Sequence, residues 1–256
     1  MADPPGFAVS TFAYQGKERT VYRAGAGPAV VIMSEIPGIT PQVVRFARYV
    51  AEAGFSVYMP HLIGETMRPV SAGYAIGQML RVCISREFRV MAANRSSPIV
   101  DWLRALASQA HKEQGGKGVG AVGMCLTGNF ALAMMLGSPV RAPVLSQPSL
   151  PFANKAGLHA SEEEIAAANK RIAEDGARVL GLRFKGDRAC PAERFQQLRT
   201  RFGDAFEAVE LDDSSANPKG MGPPHSVLTN HLIDEAGEPT RAALDRVLGF
   251  LNEQLK

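Results

Sequence analysis

The stretch Val119-Gly120-Ala121-Val122-Gly123-Met124-Cys125-Leu126-Thr127-Gly128 decides how the rest of the chain is read. Its first four residues are apolar without polar alternation, as expected of a strand buried on both faces. Small residues then flank a cysteine, and a helix is expected from roughly Leu126 to Leu136. A sharp strand-to-helix turn of this kind lifts its central residue above the sheet edge. It also aims the helix amides at whatever that residue attacks. The tightness of the turn accounts for the small residues on either side. A cysteine thiolate at that point is a strong nucleophile. The competing reading is a thiol packed as a small buried hydrophobe.

Outward from this turn, short apolar runs alternate with longer amphipathic ones. Ala29-Val30-Val31-Ile32-Met33 is a continuous apolar run, hence a buried strand. Pro41 opens a helix at its first turn, with Val43, Val44, Phe46, Ala47 and Val50 recurring on one face. Gly54 stops it, and Phe55 to Met59 is the next strand. Ile99 to Ala107 reads as a helix carrying the only tryptophan, Trp102. Further strands are expected at Pro143 to Leu145, Val179 to Phe184 and Phe206 to Leu211. Helices are expected at Glu162 to Ile172, about Pro191 to Arg201, and Pro239 to Gln254. Phe7 to Tyr22 lacks helical spacing and suits antiparallel edge strands. Strand-helix alternation with continuous apolar strands means a mostly parallel sheet covered by helices on both faces.

Two stretches break the rhythm. His61 to Ser97 shows no clear strand and is far longer than an ordinary loop. It holds five arginines (Arg68, Arg81, Arg86, Arg89, Arg95) and two acids (Glu65, Glu87), a local +3 equal to the net charge of the whole chain. Asp212 to Pro224 is rich in Pro, Gly and Ser and runs directly into His225.

The 256 residues, 46% hydrophobic and 21% charged, describe a soluble globular protein with a large core. A surplus of only +3 with 7% aromatics gives no nucleic-acid-binding stripe. The opening Met1-Ala2-Asp3-Pro4-Pro5-Gly6 has neither the basic nor the apolar region of a signal peptide. No apolar run approaches a membrane span. Three cysteines without a CxxC pair suit a reducing cytosol, so a cytoplasmic protein is expected, without a disulfide framework or a cysteine-rich zinc site.

A nucleophile needs a base, and the base an orienting group. Asp187 follows a strand in Phe184-Lys185-Gly186-Asp187, and His225 follows the turn-rich loop near the C-terminus. Singly, Gly-Asp reads as a turn and a loop histidine as surface. Together, behind the right strands, they give the order nucleophile, acid, histidine used on the α/β-hydrolase sheet.

These residues resemble the dienelactone hydrolase family of α/β-hydrolases, from about Val30 to Leu251. The resemblance is carried by Ser34-Glu35-Ile36-Pro37-Gly38 after the first buried strand, by Gly123-Met124-Cys125-Leu126, by Gly186-Asp187 and by His225-Ser226. It implies an α/β-hydrolase fold in one domain over 1–256, with an enlarged, lid-like insert at about 61–97. It implies a cysteine-dependent hydrolase of a lactone or activated carboxylic ester. Cys125 would be the nucleophile, His225 the general base and Asp187 its orienter, with the backbone N–H groups of Leu126 and Ile36 as the oxyanion hole. Glu35 resembles the family glutamate that acts on the resting thiol. Ser226 and one of Arg81, Arg86 or Arg89 are the substrate-binding candidates. No metal or organic cofactor is called for. The expected partner is a small-molecule ester or lactone, with no nucleic acid and no membrane, on a monomer or homodimer.

The sequence also departs from the family pattern. Thr127 and Asn129 stand where the family has small glycines, and His61 stands in Pro60-His61-Leu62 where the family has Pro-Asp-Leu. Four residues after His225, where the dienelactone enzymes place an arginine for the substrate carboxylate, is Thr229. This favours, as the second reading, a carboxylesterase for small neutral esters. A non-catalytic ligand-binding or redox-sensing protein on the same scaffold is a third, against which the paired Asp187 and His225 argue. Gly118 to Gly123 fits GxGxxG but lies within the strand rather than after it, so it gives no dinucleotide site. His111, His159 and His231 have no metal-ligand companions and read as surface residues. Cys83 and Cys190 read as structural or incidental thiols.

Overall fold

Two N-terminal strands, β1 (Ala8–Tyr14) and β2 (Lys17–Ala24), pair antiparallel as a hairpin. β2 pairs antiparallel with β4 (Ser56–Pro60), and beyond it the sheet is parallel. The order continues through β3 (Ala29–Met33), β5 (Val119–Met124), β6 (Val140–Ser146), β7 (Val179–Phe184) and β8 (Phe206–Leu211). The computed structural model describes residues 2–85, 87, 98–149, 155–158 and 160–256. Arg86, Arg89, Arg95 and His159 lie outside the described residues, as does the side chain of Cys83.

Successive strand residues point to opposite faces, and each face has its own helices. Val30 and Ile32 pack with α1 (Pro41–Glu52) and α7 (Pro239–Leu255). Val31 and Met33 pack on the other side with α3 (Pro98–Gln114), α4 (Gly128–Ala133), α5 (Glu162–Asp175) and α6 (Ala192–Phe202). All five residues of β3 and all six of β5 are buried. That is why these strands read as unbroken apolar runs: both faces are covered. Each fully buried Val, Leu, Ile or Phe contributes roughly 1.5–3 kcal/mol.

Local signals hold the helices in register. Thr40 caps α1, its hydroxyl accepting from Val43 N at 3.3 Å, and Pro41 occupies the first helical position. Ser161 and Glu164 form a reciprocal capping box at the start of α5. Tertiary packing carries α3 well past Ala107, to Gln114. The helix after β5 is shorter than its apolar run suggests. A 3₁₀ turn spans Cys125–Thr127, α4 ends at Ala133, and the chain loosens into turns where Ser138 Oγ donates to the Met134 carbonyl.

One helix, α2 (Ala72–Ile84), lies within the stretch that shows no regular pattern in sequence. Its burial does not follow its apolar residues, for Gln78 is buried. Ile76 and Leu80 are exposed, each at 62%. Among the described residues, no helix is long and apolar enough to cross a membrane.

Candidate active site

Glu35, Cys125 and Asp187 follow β3, β5 and β7 at the carboxyl ends of the parallel strands, where open α/β sheets place their ligands. Cys125 has φ +57°, a left-handed conformation that costs a non-glycine residue about 1–3 kcal/mol and raises its side chain off the sheet edge. Gly123 permits the turn: a Cβ there would lie 2.0 Å from the Thr127 carbonyl oxygen.

The two departures from small residues in the elbow are fasteners. The buried Thr127 hydroxyl accepts from Met124 N at 2.9 Å and lies 2.9 Å from the Met33 carbonyl, tying the elbow to the end of β3. Asn129 Nδ2 donates to the carbonyls of Leu126 (3.2 Å) and Ser149 (2.9 Å), while Ser149 N donates to the Cys125 carbonyl at 3.0 Å. Cys125 is therefore held by side chains from its own turn.

Asp187 Oδ2 lies 2.7 Å from His225 Nδ1, and its Oδ1 accepts from Ala189 N at 2.9 Å. Cys125 and His225 both line the same cavity, and the Cys125 sulfur is close enough to act electrostatically on the His225 ring. Burial opposes the Asp187 carboxylate, but the His225 hydrogen bond and charge and the surrounding amides outweigh it, leaving the pKa below the usual value. Burial likewise opposes charge on His225. The Cys125 sulfur and the Asp187 carboxylate outweigh it and hold the histidine well above its ordinary value.

The directions of these shifts fix a pH dependence of stability. A histidine raised in the folded state stabilises fully below about pH 6.5, and that contribution fades as pH rises through the raised value. A depressed aspartate stabilises above about pH 3.9, and that contribution fades as pH falls through its folded value. The pair therefore supports the fold most between about pH 4 and 6.5. The difference in melting temperature between wild type and His225→Gln should be greatest in that window and shrink above it. A difference that grows from pH 7 to 9 contradicts the assignment.

Glu35 is 6% exposed and sits in a cage of three donors. Thr229 Oγ1 donates to Oε1, while Ser226 Oγ (2.7 Å) and Gln147 Nε2 (3.2 Å) donate to Oε2. Among the described residues it makes no hydrogen bond to Cys125. Thr229, at the position where the dienelactone enzymes place an arginine, thus supports Glu35, and Arg45 Nη2 donates to the Thr229 carbonyl at 3.1 Å. Ser226, expected to bind substrate, is buried, and its hydroxyl faces Glu35 instead.

Cys125 and His225 open into a cavity of about 720 Å³. Apolar side chains dominate it: Ile36, Leu126 and Ala189, Met79 and Val82 from α2, and Met221, Pro223 and Pro224 from the loop before His225. Arg81 is exposed on α2 and is not among the lining residues. The cation at the cavity is Arg188, directly after Asp187. Every Asp and Glu of the chain lies among the described residues, and none pairs with it. Ile36 lines the cavity, and its N–H makes no hydrogen bond among the described residues.

Behind the site, burial pushes the Cys190 thiol up to about 12, which makes it chemically inert at neutral pH. The buried Arg194 holds the strand-end loops together by donating to the carbonyls of Pro148 (2.6 Å), Gly157 (2.8 Å) and Ala189 (3.0 Å). His231, expected at the surface, is 2% exposed and bonded to the His225 loop. Its neighbours there are backbone amides, which leave no residue-type signal in sequence. Among the described residues, no group of three or more His, Cys, Asp or Glu side chains could hold a metal ion.

A mostly parallel sheet with a cysteine at a strand-to-helix elbow after β5, an acid after β7 and a late loop histidine has the architecture of an α/β-hydrolase. The dienelactone hydrolase family model matches residues 16–205, and the chain belongs to that family. A carboxymethylenebutenolidase-like protein of Saccharomyces cerevisiae is 24% identical over 153 residues, 60% of this chain. The chain thus aligns with 55% of that relative's length. Among solved structures, a dienelactone hydrolase-like protein from Klebsiella pneumoniae superposes with TM-score 0.64 at 17% identity, covering 96% of this chain and 98% of the other. Dienelactone hydrolase from Anabaena variabilis gives 0.60 at 15% identity, covering 99% and 100%. A dienelactone hydrolase-like promiscuous phosphotriesterase from metagenomic libraries gives 0.60 at 19%, covering 98% of each. At these identities the superpositions speak for the fold.

Proposed function

We propose that the protein is a cysteine-dependent hydrolase of carboxylic esters or lactones, with Cys125 as nucleophile, His225 as general base and acid, and Asp187 as its orienter. The observation that supports this reading is that Cys125, His225 and Asp187 line one apolar cavity, with the Asp187 carboxylate 2.7 Å from the His225 ring. The thiol proton passes to His225 as sulfur attacks the carbonyl carbon. The oxyanion that forms is received by the amides of Leu126 and Ile36, each donor contributing roughly 2.7–4 kcal/mol in such sites. Collapse breaks the acyl C–O bond, and the leaving oxygen takes the proton from His225. Water then gives a proton to His225 and attacks the thioester. The acid leaves and the thiol is restored.

The cavity also supports the second reading, a carboxylesterase for neutral esters. Its lining is apolar, and Thr229 is engaged with Glu35 rather than offering a positive charge. Arg188 is the lining residue through which an anionic substrate would be favoured. The test is turnover of an uncharged nitrophenyl ester and of a carboxylate-bearing lactone by wild type, Cys125→Ala and Arg188→Ala. Hydrolysis of either that vanishes with Cys125 supports the proposal. If Arg188 holds a carboxylate, Arg188→Ala raises KM for the lactone by no more than about fivefold, the worth of an exposed ion pair, and leaves the neutral ester unchanged. Wild type that turns over neither above the Cys125→Ala background overturns the hydrolase reading for these substrates.

A further inference from the structure

His225 is carried by a segment, residues 216–238, without helix or strand. Asp187 fixes the ring of this histidine at Nδ1, but nothing in regular secondary structure fixes its backbone. The fixing group is a second imidazole. His231 Nδ1 faces two backbone donors at once, His225 N at 3.3 Å and Ser226 N at 3.2 Å. The His231 N–H in turn donates to the Ser226 carbonyl at 3.0 Å.

The same ring holds the cavity wall. Its Nε2 lies 3.4 Å from the Gly222 carbonyl, and Asn217 N donates to the His231 carbonyl at 2.9 Å. Gly220 rests on the ring so closely that a Cβ there would lie 2.5 Å from Cδ2. Phe184, at the end of β7, meets the ring edge-on at 6.1 Å.

We propose that His231 is a positioning residue that buckles the 220–231 loop and sets the backbone of His225 through the acceptor at its Nδ1. This rests on the reading of His225 as the general base. Two donors aimed at Nδ1 require that nitrogen to be unprotonated, so the proton sits on Nε2 and points to Gly222. Protonating Nδ1 turns an acceptor into a donor facing two N–H groups and opens the buckle. Burial and the neighbouring His225 charge disfavour that protonation, while the Gly222 carbonyl, Glu35 and Asp187 favour it, and the balance keeps His231 below the ordinary histidine value. From α1, Arg45 faces the Thr229 carbonyl.

The experiment compares the full chain as wild type, His231→Asn and His231→Leu. Asparagine places an amide oxygen near the position of Nδ1 and does not titrate, whereas leucine fills space without an acceptor. His231→Leu should lower kcat about 100-fold, the cost of an ångström-scale misplacement, with KM changing far less. Amide hydrogen exchange over 220–231 should speed up in the same variant. His231→Asn should recover most of the turnover and most of the protection. The acid limb of kcat/KM should steepen below about pH 6.5 in wild type and lose that steepening in His231→Asn.

Wild-type kcat and exchange in His231→Leu overturn the proposal, as does a His231→Asn protein no better than His231→Leu. If His231→Leu does not fold, an unsteepened wild-type acid limb overturns it. Cys125→Ala and His225→Ala run alongside separate the two claims. Turnover retained in those variants sinks the hydrolase mechanism, while the exchange comparison still decides the role of His231.

Discussion

Cys125→Ala is expected to lower kcat for any accepted ester by about 10⁴-fold or more, because residues of a nucleophile-base unit fail together when one is removed. The loss should come without loss of fold. Cys125 is partly exposed at the cavity edge, and alanine can adopt the same turn. Its melting temperature should therefore stay close to that of wild type. Cys125→Ser should fall between the two, because a hydroxyl at neutral pH is a far weaker nucleophile than a thiolate. Steady-state kinetics on a nitrophenyl ester with melting curves on the same samples check all three. A Cys125→Ala protein within tenfold of wild type contradicts the nucleophile assignment.

Glu35→Leu is expected to produce the largest loss of stability. The carboxyl group collects three buried donors from two separate segments, Gln147 after β6 and Ser226 and Thr229 from the His225 loop. Removing it strands those donors away from water at about 1–3 kcal/mol each, partly relieved by local shifts. A net loss of about 3–5 kcal/mol is expected, as for breaking a buried polar network from one side. For a chain of this size that lowers the melting temperature by roughly 10 °C. Turnover should fall with it, because Ser226 adjoins His225. Glu35→Gln retains one acceptor oxygen and should lose much less of both, since no hydrogen bond joins Glu35 to Cys125 among the described residues. A Glu35→Leu protein that melts with wild type contradicts the cage, and a Glu35→Gln protein as inactive as Cys125→Ala points to direct action on the thiol.

The residues that resist sequence reading share a physical cause. Cys125, Asp187 and His225 are legible because each chemical type sits directly after a recognisable strand or loop in the order the fold requires. The buried strands are legible because covering on both faces leaves continuous apolar runs. Glu35 also follows a recognisable strand, but its hydrogen-bond partners carry no such signal. Its partners stand 112, 191 and 194 residues away, so only the folded sheet reveals that Thr229 supports a carboxylate where the dienelactone enzymes place an arginine.

His231 looks like a surface histidine because its partners are main-chain amides, which have no letter in the sequence. Helix α2 hides for another reason: its apolar Ile76 and Leu80 are exposed while its polar Gln78 is buried, the reverse of the pattern by which sequence marks a core-facing helix. Arg188 was overshadowed by the five arginines of the 61–97 stretch. Of the three proposed there for substrate binding, Arg81 does not line the cavity, and Arg86 and Arg89 lie outside the described residues.

The most direct test of the mechanism is whether an acyl group passes through Cys125. Wild type mixed with an excess of a nitrophenyl ester and quenched in acid within the first turnovers should gain the mass of the acyl group. Peptide mapping should place that mass on Cys125, and Cys125→Ala should show none. Continued turnover with no adduct on Cys125, or an adduct on another residue, contradicts the account.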